Sequence, residues 1–133
     1  MVSGYYLDTS VAGRILLGHS PAAVEWFGRA IDDEELVVSS RLLRTELTRL
    51  LRREGLPLDR RGEIADRIAT IPVDHATLTA AEAIVPHVKT LDAIHLAAAL
   101  QSGLEDLVIV SHDKSLSQVA QQLGFEVFDP VQE

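Results

Sequence analysis

The chain has 133 residues, 47% of them hydrophobic, a formal net charge of −8 and no cysteine. That composition describes one globular domain, residues 1–133, with room for a single ordinary core. Lacking Cys, it excludes disulfides, thiolate catalysis and Cys-based zinc sites together, and suits a cytoplasmic protein. No apolar run approaches the ~18 residues of a membrane helix, no secretory leader pattern opens the chain, and the acidic balance argues against broad, non-specific nucleic-acid binding.

The first stretch, Val2 to Ser10, reads as a strand that is apolar to Leu7 and stops on a carboxylate, Asp8, followed by two hydroxyls. A charge at the carboxyl end of a strand sits where open α/β sheets bind ligands. Asp8 or Ser10 can equally be the N-cap of the next helix. Ser10 to Gly18 reads as a short helix with Val11, Ile15 and Leu16 on one side. Ser20-Pro21 then starts a second helix that runs to about Ile31 and buries Val24, Phe27 and Trp26. After a polar turn, Leu36-Val37-Val38 is a buried strand. Ser39-Ser40 cap a helix that reaches Glu54, where Gly55 and Pro57 stop it. Leu58 to Ala69 is expected as one helix, and Ile71-Pro72-Val73 as a short edge strand. Ala76 to Val85 is helical until Pro86 breaks it. A further helix runs from Thr90 to Gly103, Leu107 to Val110 is the clearest strand, and Lys114 to Leu123 is a helix closed by Gly124. Phe125 to Phe128 is the last strand. Strand and helix alternate without a hairpin signal, which predicts a parallel, three-layer α/β/α sheet.

Charge is not spread evenly. Arg41 to Arg67 holds eight Arg against five acids, a local charge of +3 that leaves −11 for the rest of the chain. Internal pairs such as Arg49 with Glu46 or Arg67 with Glu63 would account for part of it. Arginine is also the side chain suited to bidentate grip on phosphate or carboxylate.

Four acids stand in unusual places. Asp8 ends the first strand. Glu46 has Leu43 and Leu50 at i−3 and i+4, so it borders the core face of its helix. Asp92 lies in the first turn of a nearly all-apolar helix, where a favourable helix-terminal charge is the plain explanation. Asp113 follows the Leu107–Val110 strand by a Ser-His step, and can be an N-cap. If the four converge, each pair about 6 Å apart repels by roughly 3 kcal/mol at an effective dielectric of 20. Six such pairs cost on the order of 15 kcal/mol, comparable with the whole stability of a small domain. Such a cluster must hold protons or a cation. Oxygen donors without Cys suit Mg²⁺ or Mn²⁺, which support in-line attack on a phosphodiester.

Leu7-Asp8-Thr9-Ser10, Arg44-Thr45-Glu46-Leu47, Leu91-Asp92-Ala93-Ile94-His95-Leu96-Ala97 and Ser111-His112-Asp113-Lys114 resemble, in order and spacing, the four motifs of PIN-domain ribonucleases. The resemblance is closest to the VapC toxin branch of toxin–antitoxin pairs. The third motif is its most specific part. It implies a five-stranded parallel sheet of order 3-2-1-4-5, Mg²⁺- or Mn²⁺-dependent RNA cleavage, a homodimer and a cognate antitoxin. It makes Asp8, Glu46, Asp92 and Asp113 the catalytic, metal-holding quartet, with Ser10 and Ser111 as supporting polar groups. His95, three residues after Asp92, is either a proton shuttle and carboxylate partner or a packed, satisfied histidine; His112 has no reading.

Other classes fit less well. A haloacid-dehalogenase phosphotransferase needs an acid where Ser10 stands, an adhesion-type metal site needs a hydroxyl at Ala12, and a receiver domain needs an acid pair after the first strand. A non-catalytic PIN-like interaction module remains the alternative, though such modules are expected to have lost acids and this chain keeps all four. Ile15, Leu16, Leu17, Trp26 and Phe27 exceed what so short a span is expected to bury. They suggest a groove for an amphipathic antitoxin helix, or else core or dimer-face residues.

Overall fold

The alternation of apolar side chains sets the architecture. In the computed structural model, which describes residues 3–131, five strands form one parallel sheet in the order β3-β2-β1-β4-β5. They are β1 (Gly4–Leu7), β2 (Val37–Ser40), β3 (Ala69–Ile71), β4 (Leu107–Val110) and β5 (Glu126–Phe128). The helices are α1 (Thr9–Leu17), α2 (Pro21–Asp32), α3 (Arg41–Glu54), α4 (Gly62–Ala65), α5 (His75–Glu82), α6 (Thr90–Gln101) and α7 (Lys114–Gln122). The strand order and the parallel direction agree with the expectation; Val2 lies outside the described residues.

Side chains on the sheet point alternately into two cores, as strand geometry demands. Leu7, Val37 and Val110 pack with Val11, Leu16, Trp26, Phe27, Leu43, Leu47 and Leu51 on one face. Tyr6, Val38 and Ile109 pack with Leu96, Ala98, Leu116 and Val119 on the other. Helices therefore cover both faces, the arrangement that buries a parallel sheet. Gly4 suits the close approach of β1 to the residue before β2, since a Cβ there would lie 3.0 Å from the Leu36 carbonyl oxygen. Among the described residues no helix is long and apolar enough to cross a membrane.

Several local expectations fail for identifiable reasons. Residues 58–69 are not one helix: a 3-10 turn, Leu58–Arg61, leads into the single turn of α4. Ile64 is the one fully buried apolar side chain in that span, too little to hold a longer amphipathic helix in place. β3 ends at Ile71, one residue before Pro72, so the strand avoids the residue that cannot donate to the ladder. α5 ends three residues short of Val85, which is almost fully exposed. Val24, expected inside, is 43% exposed, while Leu16, Trp26 and Phe27 are all buried. Trp26 packs edge-on to Tyr5 at 5.5 Å and against Phe128 at 5.9 Å, which places it in the core rather than in a docking groove. The ion pairs differ too: Glu63 pairs with Arg60, and Glu46 turns away from Arg49 to His95.

Candidate active site

β1 and β4 are neighbours, with Leu7 in register with Val110. The chain departs from β1 into α1 beside the crossover to β4, so the topological switch point lies just beyond these two strand ends. Asp8 and Ser111 are the first residues past them. The main chain ties them in place: the Asp8 amide donates to Val110 O at 2.9 Å and the Ser111 amide to Phe128 O at 3.1 Å.

Asp8 occupies the N-cap position of α1, yet its carboxylate makes no capping bond. Instead Oδ2 accepts from Ser10 Oγ at 2.7 Å and from Ser111 Oγ at 2.8 Å. Both serines thus hold one aspartate oxygen in a site where Asp8 is 3% exposed. Ser111 Oγ also accepts the Asp113 amide at 3.0 Å, and Ser10 Oγ the His112 amide at 2.9 Å, which stitches the loop after β4 to the start of α1. Asp113 is the N-cap of α7, its Oδ1 accepting from the Leu116 amide at 3.1 Å. The capping role and a place at the cleft mouth therefore coexist in one side chain.

Asp8, Glu46, Asp92 and Asp113 line one open cleft of about 880 Å³, together with Thr9, Ser10, Arg14, Arg49 and Arg53. The four acids come from β1, α3, α6 and the β4–α7 loop. Glu46 is not free: its Oε1 accepts from His95 Nε2 at 2.6 Å and from Thr9 Oγ1 at 2.7 Å. His95 is buried, with Nδ1 taking the Tyr6 hydroxyl at 2.7 Å and Nε2 lying 4.0 Å from Asp8 Oδ1. It is a satisfied histidine, and its partner is a site carboxylate. Burial alone would raise the Glu46 carboxyl, but the bonds and charge of His95 and the Thr9 hydroxyl outweigh it and hold the group below its ordinary value. Thr9 and Tyr6 have no role in the sequence reading; the hydroxyl between Asp8 and Ser10 at the start of α1 is the available signal for Thr9. His112, unread from sequence, pairs through Nδ1 with Asp129 Oδ2 at 2.8 Å, and so links the loop after β4 to the segment after β5.

Asp92 shows what crowding does. Its carboxyl is pushed up to about 6, first by burial and then by the charges of Asp8, Asp113 and Glu46, with His95 opposing. A raised acid binds more protons folded than unfolded, so stability falls as pH rises between the ordinary 3.8 and about 6. The full linkage is ~3 kcal/mol, and solvent screening of a half-exposed group cuts it to on the order of 1–2 kcal/mol. Metal-free protein should therefore gain about two thirds of that stability on moving from pH 7 to pH 4.5, relative to the Asp92→Asn variant. Parallel pH profiles of the two proteins in urea would sink this linkage.

The donor set suits a hard cation: four carboxylates and hydroxyls, no sulfur, and electrostatic coupling that a positive charge would relieve. No three His, Asp or Glu side chains among the described residues are drawn together closely enough to hold an ion as they stand. Three of the four carboxylates already have one oxygen engaged, Asp8 with Ser10 and Ser111, Glu46 with His95, and Asp113 with the Leu116 amide. Coordination therefore requires side chains at the cleft to rearrange.

The family model and the sequence relatives agree on the family. The PIN-domain model matches residues 5–122. The chain is 32% identical over 131 residues to Ribonuclease VapC47 of Mycobacterium tuberculosis (strain CDC 1551 / Oshkosh), covering 94% of this chain and 96% of that protein. It is 34% identical over 131 residues to Ribonuclease VapC46 of Mycobacterium tuberculosis (strain ATCC 25618 / H37Rv), covering 97% and 99%. The fold is similar to DNA-bound VapBC from Salmonella typhimurium, with a TM-score of 0.70 at 15% identity over 98% of this chain and 99% of the other. It is also similar to FitAB bound to an IR36 DNA fragment, at 0.67 and 17% over 97% and 96%. A family match across most of the chain, and a sheet order and motif set that suit it, make this protein a member of the PIN-domain family.

Proposed function

We propose that this protein is an endoribonuclease and the toxin of a VapBC-type toxin–antitoxin pair, hydrolysing RNA phosphodiester bonds in the cleft between β1, α3, α6 and the β4–α7 loop. The observation that carries the reading is the meeting of Asp8, Glu46, Asp92 and Asp113 on that one cleft, in a chain about one third identical to two named VapC ribonucleases. PIN-domain ribonucleases are metal-dependent as a class, and Mg²⁺ or Mn²⁺ is the ion proposed here. Asp8, Asp92, Glu46 and Asp113 would hold it. When bound, such an ion supplies positive charge to phosphodiester oxygens and lowers the pKa of attacking water.

The chain's own residues supply the rest. Ser10 and Ser111 fix the direction of the Asp8 carboxylate. His95 and Thr9 hold one oxygen of Glu46, leaving the other for the cleft. Asp92, its carboxyl raised by burial and by the neighbouring charges, completes the negative field. The proposed partners are RNA as substrate, a cognate antitoxin that reaches the acids with a basic side chain, and a second copy of the chain in a homodimer; the proposed location is cytoplasmic.

Titration of Mg²⁺ and Mn²⁺ into an RNA cleavage reaction, with mapping of the cut, tests the activity. The same ions should raise the melting temperature. A ligand at a hundredfold its Kd adds about 2.7 kcal/mol, on the order of 10 °C for a domain of this size. Chelator should reverse both effects. Cleavage that survives chelation, or a melting curve indifferent to millimolar ion, would reject the metal assignment; no cleavage with any ion would leave a non-catalytic interaction module.

A further inference from the structure

The acidic cleft opens, across one ridge of α3, into a second depression of opposite character. It has a volume of about 270 Å³ and is walled by Arg41, Arg44, Thr45, Thr48, Arg49 and Arg61, with no carboxylate among them. Thr45 and Arg49 line both, so the two adjoin across that ridge. Among the described residues the Arg–carboxylate pairs are those of Arg29, Arg53 and Arg60; none involves Arg41, Arg44, Arg49 or Arg61. In a chain with 20 acids and 12 basic residues, four clustered guanidinium groups without an acid partner are a feature to be explained.

Two of the four are held in place by neutral posts. Arg41 Nη1 donates to Thr45 Oγ1 at 3.2 Å, and Arg61 Nη1 donates to Thr48 Oγ1 at 3.1 Å. Thr48 can accept because its own proton goes to Arg44 O at 2.7 Å. Threonine is a mediocre choice in the middle of a helix, and at these positions it directs arginines from α3 and from the 3-10 turn over the same depression. A guanidinium has five N–H donors, so each keeps four for a ligand. Planar, unneutralised, pre-positioned arginines match phosphate oxygens.

We propose that this depression is a phosphate-binding track for the RNA strand as it leaves the acidic cleft across the Thr45–Arg49 ridge. The proposal rests on the reading of the cleft as a ribonuclease site. An acidic protein segment could also meet four arginines. Adjacency to the cleft where the cleaved phosphodiester must lie favours the nucleic acid. A track of this kind also answers how a polyanion approaches a chain whose net charge is −8.

The test uses the full chain carrying Asp8→Asn, so that RNA is bound without being cut, and a fluorescein-labelled single-stranded RNA read by anisotropy. Each lost phosphate contact lowers the salt slope of single-strand binding by about 0.7. Adding Arg41→Gln, Arg44→Gln and Arg61→Gln together should lower it by about 2. Between 50 and 200 mM salt, the Asp8→Asn parent should then lose about 20-fold more affinity than the triple-substituted protein. Arg29→Gln, on α2, paired with Glu25 and lining neither depression, should change the slope far less per charge removed. Thr45→Ala with Thr48→Ala gives a second route that keeps every charge: affinity should fall with the slope preserved. An unchanged slope in the triple variant, or an equal loss of binding to polyglutamate, overturns the track. Metal-dependent cleavage by the unmodified chain is scored separately. A slope that falls in a protein that never cleaves RNA keeps the track and rejects the nuclease.

Discussion

Asp8→Asn and Asp92→Asn should each abolish RNA cleavage, by about 10³-fold or more, while metal-free Asp92→Asn becomes more stable at pH 7. The two effects have one origin. Four carboxylates on one cleft repel, and Asp92 is the member whose carboxyl rises to about 6 because it is half-buried and faces the others. Asn in its place removes a charge the fold resists, worth on the order of 1–2 kcal/mol after screening, and removes a ligand the chemistry needs. Asp8→Asn carries a further readout. Asp8 is the first of the charges that raise Asp92, so in that variant the Asp92 carboxyl should titrate below about 6. Its serine partners can still donate to the remaining amide oxygen, so the fold should persist. Near-native cleavage by either variant would remove that acid from the proposed machinery.

The parts of this fold legible in sequence are those with strong periodic or terminal signals. β4 is four consecutive apolar residues, all buried. α3 carries a Ser40 cap at one end, and Gly55 at φ +67° at the other. The acids were visible because they broke such patterns. Asp8 interrupts a strand end, and Glu46 intrudes on a leucine stripe. What sequence could not show was which oxygen of each acid is already engaged. Asp8 looks like a cap and is not one, whereas Asp113 is a cap and faces the cleft as well. Both outcomes depend on which side chains the β1–β4 crossover brings within reach.

The misjudged apolar residues teach the same lesson at the level of packing. Leu16, Trp26 and Phe27 were too many for two short helices considered alone. α1 and α2 pack on the sheet and on α3 together, and Tyr5 and Phe128 on β1 and β5 supply the wall that Trp26 needs. That wall comes from positions 5 and 128, far from Trp26 along the chain, so no local window contains it. The apolar side chains that line the acidic cleft are Leu17, Leu42, Leu50 and Leu91, and neither Trp26 nor Leu16 is among them.

His95→Leu should be the most destabilising single change at the site, by about 3 kcal/mol, lowering the melting temperature by on the order of 10 °C. The leucine fills the space but leaves the Tyr6 hydroxyl without its imidazole partner and Glu46 without its main donor. Burial, the largest influence on Glu46, then acts opposed by little more than Thr9, and the carboxyl should rise from below its ordinary 4.5 to above it. In the unmodified protein a lowered acid contributes stability above 4.5 and loses it as pH falls through the folded value. The gap in melting temperature between the two proteins should therefore narrow in acid. Breaking one side of a buried polar pair costs more than removing both. His95→Leu combined with Glu46→Leu should accordingly recover part of the loss, because residue 46 borders the leucine face of α3. His95→Gln, whose amide can stand in for Nε2, should keep Glu46 low. If His95→Leu melts with the unmodified protein at neutral pH, or if the double substitution merely adds the two single losses, the Tyr6–His95–Glu46 chain is packing alone and does not set the carboxylate.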